Sequence, residues 1–169
     1  MMKNFLVLVA IGLISLSSFA QSKVGTVNSD LLVASLPEVS QLQKDMKDYG
    51  ASLDKEYNLM LTQYQDKIKI YEEKQETALE ASRIRMEDEI VKLEQDLRKF
   101  QQNSQNLIQL KQNELMRPLF QKVGVALESV AKEQGYTQVL TMNSVAYYDE
   151  NQDLTKAVAE KLGVTLQSN

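Results

Sequence analysis

Apolar side chains recur along the first half of the chain at steps of three and four residues. This spacing averages close to the 3.6-residue turn of an α-helix, and charged or amide side chains occupy the other faces. The apolar positions are Val39, Leu42, Met46, Tyr49, Leu53, Tyr57, Met60, Tyr64, Ile68 and Tyr71. One narrow stripe of this kind predicts a long helix that packs against one partner.

A second stripe follows with strict heptad spacing, which is the pattern of a coiled-coil strand. Its positions are Met86, Ile90, Leu93, Leu97, Phe100, Ser104 and Leu107. Ser104 is the one polar residue among them. The two stripes together predict two long helices, each of which packs through a single face.

The charged segment between the stripes contains neither glycine nor proline to mark a turn. A single helix from Pro37 to Pro118 would be a rod about 120 Å long, whereas a hairpin that turns near Ala78 has two arms of about 55–60 Å. The hairpin is preferred because it lets the chain bury its own stripes. It predicts an arm over residues 39–117 with its tip near residues 76–82.

Short elements precede the predicted arm. Residues 23–28 read Lys-Val-Gly-Thr-Val-Asn, a β-prone run that ends in a polar residue, and they predict a short strand. Ser35 has the side chain of a helix cap, and Pro37 is tolerated in a first turn because its missing N–H has no partner there. The long helix is therefore expected to begin near Pro37.

The chain after the arm carries helix and strand signals in turn. Pro118 is expected to kink or break the helix, although the amphipathic pattern continues to a closing Gly135. Residues 136–142 and 145–148 are β-prone and flank a polar Asn-Ser pair, which predicts an antiparallel hairpin whose strands join the first one. Asp153 then has the side chain of an N-cap for a final helix.

These elements predict a fold that is mostly α with a small β base. A long antiparallel coiled-coil helical hairpin is inserted in a short-stranded α+β body, which is built from residues 23–38 and 119–166. This base has about 65 residues, a size at which a single core gives marginal stability. We therefore expect the base to form an oligomer.

The first twenty residues have the pattern of an export signal. Lys3 precedes an apolar run from Phe5 to Leu16, and small residues lead up to Ala20. An uncleaved membrane anchor is the alternative, but the run ends in a polar, serine-rich stretch that falls short of a comfortable span. We expect residues 1–20 to be removed, and the exported chain to have no stable insertion in the membrane.

The composition argues against several classes of function. The chain has no histidine and no cysteine, so it lacks the commonest general base, the usual soft metal ligands and any disulfide. Removal of Lys3 leaves 18 basic against 23 acidic side chains, a net charge of −5 that argues against nucleic acid as a partner. No Gly-rich phosphate loop is present. We expect no enzyme activity, no cofactor and no metal site.

Several segments resemble the Skp/OmpH family of periplasmic chaperones, and the resemblance covers nearly the whole exported chain. The most specific pieces are residues 135–147, which are similar to the paired strands of the family that end in an Ala-Val-Ala-Tyr-like motif, and residues 153–162, which are similar to its Asp-Ile-Thr-x-x-Val-like helix. The first strand, the charged hairpin and the export signal fit the same family.

The resemblance implies a periplasmic homotrimer whose strands form a β body, with three helical hairpins around a central cavity. Such a protein is an ATP-independent holdase that binds unfolded outer-membrane proteins and prevents their aggregation. The base residues expected to help close the trimeric body are Val24, Val27, Val139, Leu140 and Val145. The alternative is a structural coiled-coil adaptor or spacer of the cell envelope, for which the sequence would look much the same.

Tyrosine and methionine are the suggestive side chains of the arm. In one interpretation they pack against the return helix, and in the other they form an adaptable, partly wet surface for unfolded segments. The candidate contact residues are Met46, Tyr49, Tyr57, Met60, Tyr64, Tyr71 and Met86. Relatives in the family are strongly basic, whereas residues 39–117 carry 13 basic and 15 acidic side chains. The charge of this chain therefore departs from the family pattern that favours electrostatic capture of acidic clients, lipopolysaccharide or anionic lipid, and the sequence leaves such binding open.

Overall fold

The computed structural model describes residues 22–166, so the predicted export signal lies outside the described residues. Within that range the chain divides into two compact units. One unit, the base, contains the residues up to Leu36 and those from Phe120 onward. The other unit, the arm, runs from Pro37 to Leu119. The architecture is mostly helical with a small sheet, as predicted.

The base contains a two-stranded parallel sheet. Strand β1 (Val24–Val27) pairs with strand β2 (Gln138–Thr141), with Val24 opposite Gln138 and Val27 opposite Thr141. Parallel neighbours need a crossover connection, and here the crossover includes both long helices. The predicted first strand is confirmed.

The predicted antiparallel hairpin is wrong. Its first segment forms β2 and pairs with β1, and residues 145–148 form no strand. The polar residues between the two segments belong instead to a 3-10 turn, Met142–Ser144. The Ser144 and Thr141 hydroxyls are 2.7 Å apart, and the Asn143 amide donates to Asp30 Oδ2 at 3.1 Å. These bonds favour a tight turn at the end of β2 over a reversal into a second strand.

A short helix that the sequence pattern did not reveal follows β1. Helix α1 (Ser29–Ala34) begins where Asn28 Oδ1 accepts the Leu31 N–H at 3.0 Å, which is N-cap geometry. The Ser35 hydroxyl donates to the Leu31 carbonyl at 2.8 Å, so Ser35 closes this helix rather than capping the next one. The next helix has Pro37 as its N-cap residue, without a side-chain cap bond.

The core of the base lies between the sheet and its helices. The largest fully buried side chains are Val27, Leu32, Val33, Val123, Leu154 and Val158. The last helix, α4 (Thr155–Leu162), supplies Val158, and Asp153 Oδ1 accepts the Thr155 N–H at 2.8 Å at its start. Asp153 therefore performs the capping role that the sequence indicated, one residue before the geometric N-cap.

The backbone of β1 at Gly25 lies against two side chains of the base. A Cβ atom on this residue would lie 2.4 Å from Leu154 Cδ1 and 2.9 Å from the Tyr136 ring. Leu154 is 1% exposed, and the Lys23 ammonium sits 3.9 Å from the centre of the Tyr136 ring. An alanine at this position would therefore force the Leu154 side chain, the Tyr136 ring or the strand to shift.

The arm consists of two long helices joined by residues 75–79. Helix α2 (Glu38–Lys74) precedes the connection, and helix α3 (Glu80–Glu133) follows it and continues into the base. Pro118 lies inside α3 and does not end it, so the predicted break is absent. Gly135 adopts a left-handed φ of 71°, and Tyr136 N–H bonds to the Ala131 carbonyl at 2.8 Å beyond the helix end, as expected of a glycine C-cap.

Candidate functional site

The facing stripes of α2 and α3 run antiparallel. Contacts that lie progressively later in α2 involve progressively earlier residues of α3. The contacts are Tyr49 with Lys111 at 5.9 Å from ring centre to Nζ, Tyr57 with Phe100 at 6.4 Å between ring centres, Lys67 with Glu89 at 2.6 Å, and Tyr71 with Glu87 at 2.6 Å. We call the interface between the apolar stripes of α2 and α3 the seam.

The seam is only partly closed by the single chain. Leu53 and Leu97 are the seam residues that reach full burial, at 7% and 8% exposure. The candidate contact residues are all half-buried, and they are Met46, Tyr49, Tyr57, Met60, Tyr64, Tyr71 and Met86. The arm therefore keeps a long row of apolar and aromatic side chains in partial contact with solvent.

The repeats of the two stripes differ, which explains the incomplete closure. The α2 stripe proceeds in steps of three, four and four from Met46 through Tyr57 to Ile68, an 11-residue repeat. The α3 stripe keeps the seven-residue repeat from Met86 to Leu107. Repeats of 11 and of seven residues drift in opposite directions around a straight helix. Two such stripes cannot stay in register along their whole length.

The tyrosines of the seam differ in what they contact. The Tyr57 ring stacks on Phe100 with an interplanar angle of 28°, and the Lys111 ammonium faces the Tyr49 ring. The Tyr71 hydroxyl donates to Glu87 Oε1, and this hydrogen bond to a carboxylate raises the pKa of Tyr71 above its usual value. Tyr49, Tyr57 and Tyr71 thus each make a different kind of contact with α3.

Grooves open on the seam where the side chains are small or mismatched. One has a volume of about 380 Å³ and is lined by Gly50, Leu53, Tyr57, Phe100 and Ser104 among others. An added Cβ at Gly50 would meet no atom within 4 Å, so the groove is open at that residue. We call it the Gly50 groove. It exists because glycine and serine stand where bulky residues would fill the seam.

Ion pairs of the arm lie on its solvated faces. Lys67 pairs with Glu89 at 2.6 Å across the seam, and this hydrogen bond lowers the pKa of the Glu89 carboxyl. Other pairs, such as Arg83 with Glu87 at 3.7 Å, connect successive turns of one helix. Exposed pairs of this kind contribute little to stability. They fix the solvent-facing surface and leave the seam apolar.

The base residues predicted at the subunit contact occupy different environments. Val27 is 1% exposed and lies in the core of its own chain. Val24, Val139, Leu140 and Val145 are half-buried. β1 lies between β2 and the residues around Asp153, to which Thr26 forms a bridge, whereas β2 has a second edge with no strand beside it among the described residues.

Sequence reasoning missed two exposed apolar side chains of the base. Val125 is 71% exposed on α3, and Tyr147 is 85% exposed after the 3-10 turn. Val125 lies off the periodic stripe of its helix, and Tyr147 was assigned to a strand. Single exposed apolar side chains are common on protein surfaces, so these two residues do not by themselves mark an interaction surface.

The described residues contain no group of three or more acidic, histidine or cysteine side chains that could hold a metal ion. Within residues 22–166, none of the helices combines the length and the apolar character needed to cross a bilayer.

Comparisons with known proteins agree with this architecture. The family model of the outer membrane protein (OmpH-like) family matches residues 23–162. Comparison with curated proteins gives no match. The crystal structure of a candidate outer membrane chaperone (OmpH-like) from Caulobacter crescentus CB15 is similar in fold, with a TM-score of 0.63 at 16% identity over 85% of each chain. Because the family model spans most of the sequence, the chain belongs to the OmpH-like outer membrane protein family.

Proposed function

We propose that this protein is an ATP-independent periplasmic holdase that binds unfolded outer-membrane proteins in a cavity between helical arms and prevents their aggregation. The observation that carries the proposal is the half-closed seam, in which the seven tyrosine and methionine side chains are only half-buried. A structural spacer would gain stability by closing this interface. The family membership supports a chaperone role. No catalytic step is part of the proposal.

The cavity requires several copies of the chain, and we propose a homotrimer. Residues 1–20 would direct export, residues 23–38 and 119–166 would form the oligomeric base, and residues 39–117 would form the arm. The second edge of β2 and the exposed Val125 and Tyr147 support a contact between subunits in the base. Four half-buried residues could take part in this subunit contact, and they are Val24, Val139, Leu140 and Val145.

Client binding would be weak at each contact and strong in sum. The proposed contacts are Met46, Tyr49, Tyr57, Met60, Tyr64, Tyr71 and Met86. Methionine adapts to irregular surfaces and tyrosine tolerates water, so such a face accepts many unrelated segments. Several arms around one client raise the effective concentration. A client that folds removes its own apolar surface, so release follows by mass action without ATP.

The proposal is tested by dilution of a urea-unfolded outer-membrane barrel protein into buffer that contains the purified protein. We expect suppressed turbidity and a soluble complex, measured by light scattering, for at least two unrelated barrels. The free protein should have the mass of a trimer. The same barrels, folded in detergent before mixing, should not bind. Unchanged aggregation of every client, together with saturable binding of one folded protein, would instead identify an envelope adaptor.

The double variant Tyr57→Ala/Tyr64→Ala should destabilise the arm by about 1–2 kcal/mol, because the Tyr57 ring is stacked on Phe100 and both tyrosines are half-buried. Thermal unfolding followed by circular dichroism at a helical wavelength measures the loss. The matched Tyr57→Phe/Tyr64→Phe variant keeps the rings and should unfold like the parent protein. Unchanged stability of the alanine variant with weaker client retention would show that these rings serve client contact rather than packing.

A further inference from the structure

A second groove lies between the arm helices near the connection at residues 75–79. It has a volume of about 430 Å³ and is lined by Ile68, Tyr71, Glu72, Glu87, Ile90 and Val91 among others. We call it the Val91 groove. Pockets that hold ligands begin at roughly 300 Å³, so this groove has room for one or two bulky side chains.

Apolar surface extends from this groove along α3. Val91 is 49% exposed, and Ile84, one heptad earlier on the same helix face, is 47% exposed. Neither belongs to the seam stripe. About half of each side chain is exposed, so an apolar surface extends along α3 from the groove.

The residues that line the groove include two carboxylates, Glu72 and Glu87, and neither lysine nor arginine. Residues 68–91 carry seven acidic and four basic side chains, whereas residues 39–67 and 92–117 together carry eight acidic and nine basic ones. Glu89 in this range pairs with Lys67 just outside it, so residues 67–91 carry seven acidic and five basic side chains, a net charge of −2.

The two carboxylates of the groove are not equivalent. Glu87 accepts the Tyr71 hydroxyl at 2.6 Å and pairs with Arg83 at 3.7 Å. Glu72 forms no ion pair with any of the described residues, and it lies beside the apolar wall. Glu72 is thus the carboxylate that is available to a cation from outside the arm.

We propose that the Val91 groove binds a segment of another protein in which a bulky apolar side chain is flanked by lysine or arginine. The apolar wall accepts the central side chain, and the acidic rim pairs with the flanking cations. The same rim repels acidic segments, so selectivity arises from like-charge repulsion as well as from attraction. This inference rests on the proposed holdase function, because Tyr71 lines the groove and is also a proposed client contact, and it adds the chemistry of the segment bound there.

Fluorescence anisotropy with short labelled peptides tests this inference. The first peptide has a Leu-Phe-Leu core flanked by lysines, the second has the same core flanked by glutamates, and the third has a serine core flanked by lysines. We expect the first to bind measurably more tightly than the other two. Its affinity should fall severalfold when NaCl rises from about 0.05 M to about 0.5 M, because salt screens exposed charges.

Matched variants locate the binding surface. Glu72→Gln should weaken binding of the first peptide roughly threefold, the size expected for one exposed ion pair. Val91→Ser should weaken it about fivefold through lost apolar contact. Glu56→Gln makes the same change, and Leu59→Ser a comparable one, at exposed sites of α2 outside the groove, and both should leave the affinity unchanged.

Several outcomes would overturn the inference. These are the absence of binding by the first peptide, equal binding of the glutamate-flanked peptide, affinity that is independent of salt, or equal weakening by the two control variants. Helical circular dichroism of each variant verifies that the arm is folded. None of these outcomes depends on suppression of client aggregation, so failure here leaves the holdase proposal standing.

Discussion

Gly25→Ala should lower the free energy of unfolding of the base by about 2–3 kcal/mol, the range of a forced overpacking in a closed core. The new methyl group would lie 2.4 Å from Leu154 Cδ1, and Leu154 is itself buried at 1% exposure. The Tyr136 ring restricts the other side at 2.9 Å. Relief would require either a shift of β1 or a new rotamer of Leu154. Urea unfolding monitored by near-ultraviolet circular dichroism measures the effect.

The control is the same substitution at Gly124. This glycine lies inside α3, and an added Cβ would meet no atom within 4 Å. Gly124→Ala should therefore stabilise the protein by about 0.5–1 kcal/mol, the gain in helix propensity from glycine to alanine. Equal effects of the two substitutions would contradict the close approach at Gly25, because the change in chain entropy would then explain both.

Leu32→Ala should lower the free energy of unfolding of the base by about 3 kcal/mol. Leu32 is fully buried at 0% exposure, and removal of its side chain loses the transfer free energy and leaves a cavity in a unit with few core residues. The measurement is again chemical denaturation, with the midpoint and slope compared to those of the parent protein.

Leu110→Ala is the matched control for Leu32. Leu110 is 64% exposed on α3, so its truncation removes little buried area and should change stability by no more than about 0.5 kcal/mol. A loss below about 1 kcal/mol for Leu32→Ala would mean that α1 does not hold the core of the base.

The long helices could be predicted from the sequence because their signal is repeated. The stripe from Val39 to Tyr71 contains ten apolar positions, so a single misleading residue does not change the period. α1 has only six residues, less than two turns, and its pattern is too short to separate from the strand before it. Its N-cap, Asn28, was interpreted as the polar end of β1.

The strand pairing could not be predicted for a different reason. β2 has four residues, and its choice of partner depends on contacts with β1 more than 100 residues earlier. The polar Asn143 next to Ser144 looked like the turn of a local hairpin. In the structure Asn143 bonds to Asp30 instead, so tertiary contacts outweigh the local turn signal.

The candidate site was predicted only in part. The stripe identified the residues of the seam, but not how far each would be buried, because burial depends on the fit of two helices. The incomplete burial could have been predicted from the repeats of the two stripes. The steps are three, four and four in α2 and three and four in α3, and this mismatch limits how closely the helices pack. Val91 and Ile84 were overlooked because they lie off both stripes.

The parallel pairing of β1 with β2 determines the order in which the chain can fold. β1 leaves the ribosome early, yet its partner follows more than 100 residues later. The hairpin of the arm closes over much shorter separations, such as the 16 residues from Tyr71 to Glu87, and local contacts form faster than distant ones. A formed hairpin shortens the loop that the strands must close and reduces its entropy cost. We therefore expect the arm to form before the sheet, and substitutions that weaken the seam should slow the appearance of the sheet even where they leave its final stability unchanged.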